Sequence, residues 1–138
     1  MIKLNEIGNN PLPWKLKAAT DEDIYYQFKT DKYTYAVSLS KTEDDPSLES
    51  YNLLFTPVES KGLDTKEGAM LKIMATVADI AGSFVNKYQP DEVTVHPITR
   101  GSEDDPKRSR IYGYYLERNL PENYSLIKTG DSFRLIKK

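Results

Sequence analysis

Apolar and polar residues alternate along the first half of the chain with a period of two. Ile24-Tyr25-Tyr26-Gln27-Phe28-Lys29 is followed by the short turn Thr30-Asp31-Lys32 and then by Tyr33-Thr34-Tyr35-Ala36-Val37-Ser38-Leu39. In the second run Tyr33, Tyr35, Val37 and Leu39 share one face and Thr34, Ala36 and Ser38 the other, which is the signature of a strand with one buried side. Two such runs joined by a short turn predict a hairpin. A polar loop, Ser40 to Ser50, leads to a third run, Tyr51-Asn52-Leu53-Leu54-Phe55-Thr56, stopped by Pro57. Together these predict an antiparallel meander.

The period then changes. Asp64-Thr65-Lys66-Glu67 fits a capping box, and Met70, Ile73, Met74, Val77, Ile80, Ala81, Phe84 and Tyr88 recur at helical spacing, predicting a helix over 65–88 that stops at Gln89-Pro90-Asp91. Glu92-Val93-Thr94-Val95-His96-Pro97-Ile98 reads as a strand, so strand, helix and strand form a crossover. Asp105-Pro106 supplies an N-cap and a first-turn proline for a second helix over 106–118. Its expected core face is Ile111, Tyr114 or Tyr115, and the stem of Arg118, and Asn119-Leu120-Pro121 closes it. Tyr124–Lys128 and Ser132–Lys137, around Thr129-Gly130-Asp131, predict a terminal hairpin. Residues 1–23, with Pro11 and Pro13, read as an irregular arm that Trp14 pins to the core. The expectation is one α+β domain over 1–138: a single, mainly antiparallel sheet with two helices, in the order β-β-β-α-β-α-β-β.

Composition narrows the chemistry. The chain of 138 residues has no cysteine, which excludes disulfides, thiolate metal sites and cysteine nucleophiles. Its one histidine, His96, excludes a multi-histidine site, so no metal is expected. Nineteen basic residues face 21 acidic ones, a balance that argues against a nucleic-acid partner. The basic run Lys107-Arg108-Ser109-Arg110 adjoins Glu103-Asp104-Asp105 and reads as local salt bridging. No apolar run approaches the ~20 residues of a membrane helix, and Met1-Ile2-Lys3-Leu4-Asn5-Glu6 lacks a signal-peptide core, so a soluble cytoplasmic protein is expected. The remaining anomaly is tyrosine: ten residues, five of them within the meander and three on the second helix. Tyrosine combines rigid area with a polar tip and is enriched at interfaces, which makes Tyr25, Tyr33 and Tyr35 candidates for a protein contact, with core packing as the alternative.

The element order resembles the C-terminal two-thirds of GNAT-type N-acetyltransferases. Where that family carries Asn, then Ala, then a Leu-Tyr pair on the second helix, Asp105, Arg108, Ile111 and Tyr112 stand here, so the apolar residue and the tyrosine match. The resemblance implies that Tyr112 serves as the general acid toward a departing coenzyme A thiolate, with His96, or Glu59 through water, as base. It also implies that an acetyl-CoA pyrophosphate is held by Lys61, Gly62, Lys66 and Gly68, although only Gly68 matches the family's glycine pattern, and Asp64 and Glu67 put negative charge where the anion would dock. Over nearly its whole length the chain also resembles a family of small tailed-phage proteins, on Asn10-Pro11-Leu12-Pro13-Trp14, Ala75-Thr76-Val77 and Ser109-Arg110-Ile111-Tyr112. That likeness implies a protein of the host cytoplasm or the virion that binds a phage or host protein. Two readings follow: a non-catalytic binding protein, or an acyl-CoA-dependent N-acyltransferase whose cleft opens between the strands around 51–56 and 92–98.

Overall fold

A computed structural model of the chain describes residues 11–31, 33–43, 46–58, 67–96, 106–130 and 132–138. They form one mixed sheet of seven strands and two helices. The strands are β1 (Trp14–Ala19), β2 (Asp23–Lys29), β3 (Thr34–Lys41), β4 (Ser50–Pro57), β5 (Glu92–Val95), β6 (Tyr124–Thr129) and β7 (Ser132–Lys137), and the helices are α1 (Glu67–Tyr88) and α2 (Pro106–Asn119). Across the sheet the strands run β1-β2-β3-β4-β5-β7-β6. Every neighbouring pair is antiparallel except β4 and β5, which are parallel over Ser50↔Glu92 to Leu53↔Val95. Parallel neighbours need a crossover, and α1 supplies it.

The reading of 1–23 as irregular is corrected at Trp14–Ala19, where β1 adds a fourth strand before α1, while residues 1–10 lie outside the described residues. It is an edge strand whose residues after Trp14 are all exposed, so its sequence carries no alternation to read. The ladder to β2 holds it, from Trp14↔Phe28 to Ala19↔Ile24, with a bulge between Leu16 and Ala18. Pro11 and Pro13 precede the strand and cost it no ladder bond. The expectation for Trp14 is met within this strand: its indole Nε1–H donates to the Asp79 carboxylate of α1 at 2.7 Å, and its ring meets Tyr26 edge-on at 5.4 Å.

Both helices pack on the same face of the sheet. Tyr51 of β4 meets Phe84 of α1 edge-on at 4.9 Å, and Phe133 of β7 meets Tyr112 of α2 edge-on at 5.7 Å. The predicted stripe of α1 is buried from Met70 to Phe84, and Ala75, Thr76, Ala78 and Val85 are buried as well. The wider burial has two causes. The N-terminal segment crosses one flank of the helix, where the Leu12 amide donates to Thr76 Oγ1 at 2.8 Å, and α2 lies along another.

The expected core face of α2 holds at Tyr115 and is corrected elsewhere. Tyr112, Tyr115 and Leu116 are buried, Ile111 and Tyr114 are half-buried, and Arg118 is exposed. Gly113 explains the phase: a Cβ there would stand 2.9 Å from Phe133 Cε1, so only a bare backbone lets the helix settle against that ring.

Candidate functional site

Residues buried under the helices alternate along each strand with residues that point the other way. Ile24, Tyr26 and Phe28 of β2, Tyr35, Val37 and Leu39 of β3, Tyr51 and Leu53 of β4, and Val93 and Val95 of β5 form the covered face. Asn52, between Tyr51 and Leu53, therefore points to the opposite face. His96 follows Val95 and continues the outward set. Its Nε2 lies 3.4 Å from Asn52 Oδ1, and its amide donates to the Leu53 carbonyl at 3.4 Å.

Tyr112 occupies the other side. It is only 2% exposed, and among the described residues its hydroxyl has no hydrogen-bond partner. Burial pushes the phenol's pKa well up, because the phenolate would be stranded without water or a donor. The two candidates for acid and base are thus separated by the sheet: Tyr112 is enclosed beneath α2, and His96 stands on the uncovered face.

Glu59, Lys61, Gly62 and Lys66 lie outside the described residues, and Gly68 is a first-turn residue of α1. Past the Leu53↔Val95 pair, β4 continues to Pro57 along β3 among the described residues. The arrangement of Tyr112 and His96 does not fit a pair working on one thioester. Among the described residues, no three Asp, Glu or His side chains converge as metal ligands.

The three candidate interface tyrosines part company. Tyr35 is fully buried and stacked on Phe55 at 5.2 Å, so its ring belongs to the core and is removed from the interface set. Tyr33 is half-buried with its edge toward Tyr35. Tyr25 is 41% exposed on the uncovered face, in one cross-strand row with Ser38 of β3 and Leu54 of β4. The next row holds Gln27, Ala36 and Thr56.

Leu54 and Ala36 are the contributors that the tyrosine count missed. The signal for them lies in the outward positions of β2–β4, where, apart from Asp23 and Lys29 at the ends of β2, the usual charged residues are replaced by small or uncharged ones.

No protein-family model matches the sequence, and no curated protein matches it. Among the described residues, no helix is long and apolar enough to cross a membrane.

Proposed function

We propose that the chain is a non-catalytic binding protein on a GNAT-like scaffold, engaging a protein partner of a phage virion or of its host. The observation that carries this reading is the sheet standing between Tyr112 and His96. An acid and a base that act on one substrate must both reach it within hydrogen-bond range. A fully enclosed phenol and a side chain on the far face do not meet that condition. The surface offered instead is the uncovered side of the sheet, centred on Tyr25 and Leu54.

Calorimetry with coenzyme A and with acetyl-CoA tests the proposal, and no binding heat is expected. Mass spectrometry of purified virions and affinity capture from infected cells, each with the wild type beside Tyr25→Asp and Leu54→Asp variants, identify the partner. Capture that depends on those two residues supports the reading. Acetyl transfer to an amine that Tyr112→Phe abolishes, with the fold intact, overturns it in favour of the N-acyltransferase.

A further inference from the structure

The uncovered face has an ordered charge pattern. Of the outward positions of β2, β3 and β4, only Asp23 and Lys29 are charged, in a chain that is 29% charged overall. They stand at opposite ends of the same strand, with Tyr25 and Gln27 between them. Depletion of charge from the middle of an accessible patch is the compositional mark of an interface core. The middle is also shaped: Ala36 and Ser38 leave a shallow trough along β3, bordered by Tyr25 on β2 and Leu54 on β4.

We propose that this face is the contact between two copies of the chain, related by a two-fold axis that lies between the sheets and crosses the strands. The inference rests on the binding-protein reading and names the occupant of its surface. Such an axis lays β2 of one copy antiparallel over β2 of the other. Asp23 then faces Lys29 of the second copy, and the same pair recurs by symmetry, as an isologous interface requires. Tyr25 comes over Gln27 and the Ala36–Ser38 trough of the second copy. The order acid, tyrosine, amide, base is self-complementary only when reversed; a parallel overlay would set Asp23 on Asp23. The area sets the strength. Three strands about 4.8 Å apart and about 20 Å long present roughly 290 Å² in plane, below the ~800 Å² per partner of a standard interface. The dimer is therefore reversible and weak.

Sedimentation equilibrium of the full chain over about 1 to 500 μM tests this range of affinity. A monomer–dimer equilibrium is expected. Asp23→Lys alone and Lys29→Glu alone each convert two attractive contacts into two repulsive ones and raise the dissociation constant by roughly tenfold or more. The double variant Asp23→Lys/Lys29→Glu restores the opposite pairing and recovers dimerisation, which a merely structural role for either residue would not produce. Ser38→Arg fills the trough and abolishes the dimer, with circular dichroism confirming the fold. A chain that stays monomeric throughout, or a dimer indifferent to these variants, overturns the inference. Either result leaves the binding-protein reading standing, since that reading is tested by coenzyme A binding and acetyl transfer and not by self-association.

Discussion

Gly82 of α1 and Asn119 of α2 meet so closely that a Cβ on Gly82 would stand 2.5 Å from the Asn119 carbonyl oxygen and 2.9 Å from its Cβ. The missing side chain is what allows the C-terminal ends of the two helices to close, with Asn119 Nδ2 donating to the Tyr115 carbonyl at 2.8 Å and completing the last turn of α2. In an ordinary helix interior alanine would be favoured over glycine by about 1 kcal/mol. Here the overlap is with backbone, which cannot swing aside. Gly82→Ala is expected to cost about 1–3 kcal/mol, read as a lower urea midpoint at unchanged slope. A variant as stable as the wild type would mean that the helices separate freely.

Two buried tyrosines carry the same hydroxyl into opposite circumstances. Tyr124 donates its O–H to the Pro90 carbonyl, whereas the Tyr112 hydroxyl has no partner among the described residues. Tyr124→Phe strands a buried acceptor and is expected to destabilise by about 1–2 kcal/mol. Tyr112→Phe removes a desolvated polar atom and is expected to be neutral or to stabilise by about 1 kcal/mol. Paired denaturation curves decide the matter, and a marked loss on Tyr112→Phe would reveal a partner for that hydroxyl.

Alkaline pH should act through several tyrosines together. Burial first, and the neighbouring Tyr88 second, push Tyr26 up to about 12. Tyr115 also rises to about 12, through burial and then Tyr114, with Arg118 opposing. Tyr124 reaches about 12 through burial and the nearby Asp91 and Glu49 carboxylates. Each folded-state pKa lies above the unfolded value of 10, so the native state holds these protons more tightly. That stability is fully present below pH 10 and is lost as pH rises toward about 12. Denaturation midpoints measured at steps across this window should fall steadily; a flat profile would contradict the burial of the three phenols.

Trp14, the only tryptophan, reports on the docking of β1 against α1. Trp14→Phe keeps an aromatic ring but loses the hydrogen bond to Asp79, an expected cost of about 1 kcal/mol. Trp14→Ala also loses the contact with Tyr26, for a total of about 2–3 kcal/mol. A double-mutant cycle of Trp14→Phe with Asp79→Ala should show a coupling of about 0.5–1.5 kcal/mol. Strict additivity would mean that the indole and the carboxylate do not interact.

What could be read from the sequence follows from how each element is held. Tyr35, Val37 and Leu39 announce their strand because one side of it is buried, and Met70 to Phe84 announce α1 because a whole helical face is. β1 left no such trace, since only Trp14 is even part-buried and the rest is held by backbone pairing. The phase of α2 was obscured by apolar residues on several sides: Ile111, Tyr112, Tyr114, Tyr115 and Leu116 allow more than one face, and Gly113 decides between them through Phe133. The separation of Tyr112 from His96 could not be read either. It depends on which parity of β5 faces the helices, a relation between elements distant in sequence. The charge-free centre of the uncovered face was present in Ala36, Ser38 and Leu54, but without the pairing of β2, β3 and β4 these residues do not form a surface.

The parallel pairing of β4 with β5 also governs the time course of assembly. The pairs within the meander and the C-terminal hairpin form from segments close in sequence, whereas β5 must meet β4 and β7 across about 40 residues on either side, an entropic cost met before the registered pairs return anything. The meander and the C-terminal hairpin can each form early, on the microsecond scale of hairpins. The two lines that flank β5 close last. The two helices, which lead into and out of β5, join the quickly made meander and hairpin through that strand into one cooperative unit and set the rate at which the chain reaches its native state.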